Sequence, residues 1–134
     1  MIFDRRRVVL KSRSQIEKMA VAGALTAAAL DAVAAAIRPG CTPLQLNAVA
    51  DEVIRDGGGT PNFIGVPGQL GPFQHATCIS IDDEVVHGIP DDRVIEEGMM
   101  VSVDCGADVD GWNGDSARTF LMGDVSDEVR RLSA

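Results

Sequence analysis

The chain has 134 residues, of which 46% are hydrophobic and 24% charged; this fits one globular domain able to bury a core and excludes a disordered or fibrous chain. A net charge of −8 excludes a DNA-binding surface, which needs clustered Lys and Arg. Cys41, Cys78 and Cys105 are odd in number and lack CxxC spacing, so they read as reduced, small apolar residues of a cytoplasmic protein rather than a disulfide frame or zinc knuckle.

Arg5, Arg6, Arg7, Lys11 and Arg13 make residues 1–13 a basic N-terminal extension, ahead of a single domain over residues 14–134. "RRRVVLK" followed by the mostly apolar stretch from Met19 to Ile37 also has the layout of a twin-arginine export signal. Glu17 and Lys18 directly before that stretch, and Asp31 inside it, favour a folded helix instead. No run reaches the ~18 uninterrupted apolar residues of a membrane span.

Ser14 with Glu17 forms a capping-box pattern that starts a helix, which runs to about Ile37 and is stopped by Pro39-Gly40. Its alanine richness predicts close packing against a neighbour. Thr42, Pro43 and Gln45 supply a cap, a first-turn proline and a box partner for a second helix, which ends at Asp56 before three glycines. "PNFIGVPGQLGPFQ" is rich in Pro and Gly and reads as a long loop; it matches neither a GxGxxG nor a P-loop. "TCISI", "EVVHGI", "GMMVSVDCG" and "SARTFLMG" then read as four short strands. Two helices followed by four strands predict an α+β fold, with the helices on one face of a mainly antiparallel sheet.

Two acids stand out in this second part. Asp104 sits in an alternating apolar run, and Asp115 follows on the far side of Asp110-Gly111. A hairpin centred between Val109 and Asp110 puts the two directly opposite each other. A turn centred on Asp110-Gly111 makes them diagonal neighbours on one face, and only an odd-length loop separates them. Carboxylates about 5 Å apart on one face repel unless something positive lies between them. A divalent cation does this, and so would Arg118; two solvated turn-flanking acids give the same pattern. His87, held in a stiff turn by Gly88 and Pro90, reads either as a structural histidine or as a donor to the oxygen of a hydrolysed amide.

"CISIDDEVVHGIP", "VSVDCGADVDGWNGDSARTF" and the helical stretch from Ser14 to Phe63 together resemble the first half of a type I methionine aminopeptidase, of the pita-bread metallopeptidase superfamily. The resemblance runs nearly from Lys11 to the end. It implies a partial pita-bread fold and the removal of the N-terminal methionine from nascent polypeptides. It implies two divalent metal ions (Co, Mn, Fe or Zn), one chelated by Asp104 and both bridged by Asp115. His87 would contact the substrate amide, while Phe63 and Cys78 would line the pocket for the methionine side chain. Phe63 and Val66 replace aromatic residues usual there.

Two departures follow. Between Pro67 and Cys78 the chain is about seven residues longer than the family's short connection, and His75 falls there as a loop residue. The chain also ends at "DEVRRLSA", which reads as the opening turns of a further helix, so only two of the five expected metal ligands are present. Glu84, Glu96 and Glu97 lie in turn-like sequence and read as solvated, leaving no residue for the family's proton-shuttling glutamate. A sheet with half its cover is expected to expose an apolar face or edge, and so to be poorly soluble, to self-associate or to depend on a further segment. The alternatives are a proline-specific aminopeptidase, which shares the acid pair, and a non-catalytic pita-bread relative that binds polypeptide or ribosome, its basic start touching ribosomal RNA. A degenerate fragment without function of its own is the third.

Overall fold

The computed structural model describes residues 8–68 and 71–134. Arg5, Arg6 and Arg7, which carry most of the basic extension and the twin-arginine reading, lie outside the described residues, as do Gln69 and Leu70 of the long loop.

Helix α1 spans Arg13–Ala36. Its cap is Ser12 rather than Ser14: Gln15 N donates to Ser12 Oγ at 3.3 Å, and Ser12 N donates to Gln15 Oε1 at 2.8 Å. The sequence holds two overlapping box patterns, and the helix takes the earlier one. Helix α2, Pro43–Asp56, starts as expected, with Thr42 and Gln45 closing the reciprocal box at 3.0 and 3.3 Å. By length and composition α1 could cross a membrane, but in this fold its stripe of Ala22, Thr26, Ala29, Leu30 and Val33 is buried.

Strands β1 (Thr60–Pro61), β2 (Pro67–Gly68), β3 (Gly71–Pro72), β4 (Thr77–Ile81), β5 (Met100–Val109) and β6 (Trp112–Leu121) follow, and a short helix α3 spans Asp127–Leu132. β5 is the spine of an antiparallel sheet. β6 pairs along its whole length on one edge, while β4 and β1 lie in tandem along the other. β2 and β3 form a separate small hairpin, so the long loop is not wholly irregular.

Alternation along β5 sorts the two faces of the sheet. Val101, Val103, Cys105 and Ala107, with Ile79 and Ile81 of β4, bury against Leu30 and Val33 of α1 and Leu46, Ala50 and Ile54 of α2. Each large aliphatic side chain buried here stabilises the fold by ~1.5–3 kcal/mol. The small residues of α1 let it come very close to β6: a Cβ on Gly114 would lie 2.5 Å from the Ala22 carbonyl oxygen. The fold is therefore α+β, with two helices on one face of an antiparallel sheet.

One expected strand is absent. "EVVHGI" forms turns and irregular chain, with Val86 at φ 48° and His87 at φ 52°, and the fourth strand of the sheet is β1. The β-branched composition of that run is overruled by docking of Gly88 onto β4, through Ile79 N to Gly88 O (2.9 Å) and Gly88 N to Ser80 Oγ (3.1 Å).

Candidate functional site

The β5–β6 turn sets the position of the acids. Asp110 (φ 53°) and Gly111 (φ 80°) are both left-handed, as a two-residue type I′ connection requires, and Gly111 N donates to Asp108 Oδ1 at 3.0 Å. Asp104 therefore pairs with Ala117, and Asp115 with Gly106. This is the second of the registers read from the sequence: the acids are diagonal neighbours on the face away from the helices. Burial first, then the charge of Asp115 and a hydrogen bond shared with it, hold the Asp104 carboxyl above the usual carboxylate range, while nearby His87 pulls it back.

Arg118 does not neutralise them. It points from β6 to the opposite face, where its Nη1 meets Asp31 Oδ1 of α1 at 3.0 Å. Two carboxylates set side by side on one face repel when both are ionised, and a divalent ion relieves that repulsion. In that sense the pair fits a metal. The set is incomplete, because among the described residues no third His, Cys, Asp or Glu joins them in a group able to hold an ion.

Cys78 lies beside Asp104 across the β4–β5 pair. Burial, then the charges of Asp104 and Asp115, push its thiol up to about 11, so at neutral pH it is a protonated, apolar wall. His87 is exposed, on the loop anchored by Gly88. That loop is clamped from outside by Arg93, which meets Glu84 at 2.6 Å and Asp91 at 2.7 Å. Glu84 is thus an anchored residue and not the freely solvated one expected; its Oε2 also accepts from Ile81 N at 2.9 Å.

Asp104, Asp115, His87, Cys78 and Phe63 all line one open cleft of ≈ 770 Å³. Ile89, Val66 and the β2–β3 hairpin with Phe73 complete its walls. The volume is that of a small-ligand site. His75 is a loop residue, its ring edge-on to Phe73 at 5.7 Å.

Sequence reasoning missed Phe73 and Asn62. Asn62 N donates to Gly106 O (3.1 Å) and its Nδ2 to Asn113 Oδ1 (3.0 Å), which ties β1 to the acid-bearing strands. Gly106 has no room for a Cβ because Asn62 fills the space. A lone Asn between Pro61 and Phe63 gives no pattern from which that tie could be read.

Residues 17–134 match metallopeptidase family M24. Methionine aminopeptidase 1 of Mycobacterium tuberculosis is 47% identical over 96% of the chain and 47% of its own length. The structure of methionine aminopeptidase from Thermotoga maritima superposes with a TM-score of 0.88 at 37% identity, over 95% of this chain and 50% of that one. X-Pro aminopeptidase from the same organism, at 24% identity and a TM-score of 0.72 over 91% of this chain and 32% of that one, shares the fold alone. The chain spans about half the length of the curated relatives it matches.

Proposed function

The chain belongs to metallopeptidase family M24, and on that premise we propose that it carries the N-terminal half of a methionine aminopeptidase site, which removes the first methionine of nascent polypeptides. The observation that carries this reading is the placement of Asp104 and Asp115 as same-face neighbours at the floor of a cleft with apolar walls.

Asp104 and Asp115 would hold the metal ions. When bound, such ions supply a strong nucleophile at neutral pH and polarise the scissile carbonyl. The chain's own residues supply the rest of what can be assigned. His87, at the cleft rim, donates a hydrogen bond to the amide oxygen as that oxygen gains charge. Phe63 and the protonated thiol of Cys78 take up an apolar side chain and exclude water from it. Glu84 is held by Arg93 and by Ile81 N and so is not free to move the proton. That role and the remaining metal ligands fall outside the residues assigned in this chain.

The setting we propose is cytoplasmic, where the three free cysteines stay reduced, and the partners are polypeptide N-termini at the ribosome. A proline-specific aminopeptidase is the weaker reading, because likeness at 24% identity carries only the fold. A purely polypeptide-binding relative gives no reason to keep two repelling acids side by side.

Calorimetric uptake of Mn²⁺ by the purified chain, alongside release of methionine from a Met-Ala-Ser peptide, tests the assignment. Uptake is expected to disappear in Asp104→Asn, along with any release that EDTA suppresses. Unchanged uptake in that variant would sink the metal reading.

A further inference from the structure

His87 reaches the cleft from a long excursion of the chain, which leaves β4 at Ile81 and regains the core at Ile95. Ile95 is fully buried, and backbone hydrogen bonds of 2.8 Å bridge it to Gly40 and Cys41. Within the excursion Val86 and His87 are both left-handed, at φ 48° and 52°. That conformation is least tolerated by a β-branched residue such as Val86, and it persists only where the surroundings impose it. The His87 ring is exposed, so its aim follows from this backbone rather than from packing. Gly88 supplies one restraint by docking on β4, where a Cβ would run into the Ile79 carbonyl.

The other restraint is Arg93, whose side chain spans the mouth of the excursion. Its Nη1 and Nη2 donate to Glu84 Oε1 and Oε2 (2.6 and 3.2 Å) on the outgoing limb, and its Nε donates to Asp91 Oδ1 (3.0 Å) on the returning one. Both limbs stand on fixed ground. Glu84 N donates to Ile81 O (3.1 Å) and Glu84 Oε2 accepts from Ile81 N (2.9 Å), at the end of β4. Asp91 O accepts from Leu44 N (3.0 Å), at the start of α2. A planar guanidinium fork holds two carboxylates in one geometry, as the single point of an ammonium does not. The Arg93 hydrogen bonds keep the Glu84 carboxyl below the usual carboxylate range, as expected of a bridge that stays closed. Resting on the aminopeptidase reading above, in which His87 donates to the substrate amide, we propose that Arg93 is a positioning residue: by bridging Glu84 and Asp91 it holds the left-handed pair Val86 and His87, and so keeps the His87 ring aimed into the cleft.

The test is titration of the Zn²⁺-loaded chain with L-methioninamide, followed by NMR at the His87 ring cross-peak, resolved from that of His75, the chain's other histidine. In the wild type the peak should move as the ring donates to the amide oxygen. In Arg93→Met it should move severalfold less, with Zn²⁺ affinity and Tm close to wild type because exposed ion pairs add little to global stability. Backbone order parameters at Val86 and His87 should fall in that variant from about 0.85 to below about 0.6. Arg93→Lys, which keeps the charge but reaches one limb at a time, should recover part of the ring shift. Should Arg93→Met fail to fold, Glu84→Gln weakens the same bridge and is read in the same way. A full wild-type ring shift in these variants would overturn the proposal and leave the aminopeptidase reading standing. A wild-type ring that ignores methioninamide while Zn²⁺ binds would overturn the role of His87 and this proposal with it. A wild-type chain that takes up no Zn²⁺ would overturn the aminopeptidase reading itself.

Discussion

At Asp104, stability and chemistry pull in opposite directions. Its folded pKa is raised, by burial and then by Asp115, so the folded chain holds on to a proton that the unfolded chain releases. The sign follows: the penalty is absent below the ordinary Asp value of ~3.9 and grows as pH rises through the higher folded value, so the metal-free chain loses stability across that window. Asp104→Asn removes the ionisable member and should raise the Tm in EDTA at pH 7 by about 3 °C, with little gain at pH 4. Added Mn²⁺ should stabilise the wild-type chain and not the variant. A variant that melts below wild type in EDTA would show that the pair is not in conflict. At this scale the spacing of Asp104 and Asp115 let their shared face be read from the sequence, whereas Cys78 and Phe63 entered through the resemblance alone; the structure brings all four, with His87, to one cleft. Of the alternatives open in the sequence, neutralisation by Arg118 drops out, since its odd offset from Asp115 on β6 turns it to face α1. The Ser12 cap was missed for a similar reason: Ser12 and Ser14 are each followed three residues later by a suitable partner, and sequence alone does not choose between them.

Between elements, α1 approaches β6 closely. The alanine-rich run predicted such packing but not the strand that receives it. Gly114 faces the Ala22 carbonyl and the Gly23 amide, both rigid backbone, at 2.5 and 2.6 Å from where a Cβ would sit. Gly114→Ala cannot be absorbed by a rotamer change, so α1 must lift from the sheet. The expected loss is ~1–3 kcal/mol, read as a lower urea midpoint at unchanged m-value. An unaltered midpoint would mean that the helix can slide without loss. The register of the β5–β6 hairpin was readable to within two choices, and left-handed Asp110 and Gly111 select between them. The run "EVVHGI" misled because composition describes what a segment prefers locally. Here the contact of Gly88 with Ile79 and Ser80, and the Arg93 clamp on Glu84 and Asp91, decide otherwise.

Across the whole molecule, the helices cover one face of the sheet and leave the other open. That open face holds the acids and the cleft, and around it Ile64, Val66, Val86 and Ile89 are exposed. β6 pairs with β5 on one side and has no partner on its other edge among the described residues. Both features favour contact between copies, whereas a net charge of −8 opposes it. The balance has a measurable sign. If association is driven by apolar surface and strand edge, salt screens the repulsion and strengthens it; if it runs through ion pairs, salt weakens it. We expect sedimentation velocity to show a weight-average mass that rises with protein concentration, and rises further between 0.05 and 0.5 M NaCl as the Debye length shrinks to a few ångströms (~4–5 Å). A single monomeric species at every concentration and both salts would show that the open face is already satisfied within one copy. A mass that falls with salt would move the contact from the sheet to charged surface, where Arg13 and Arg55 already pair within their own helices.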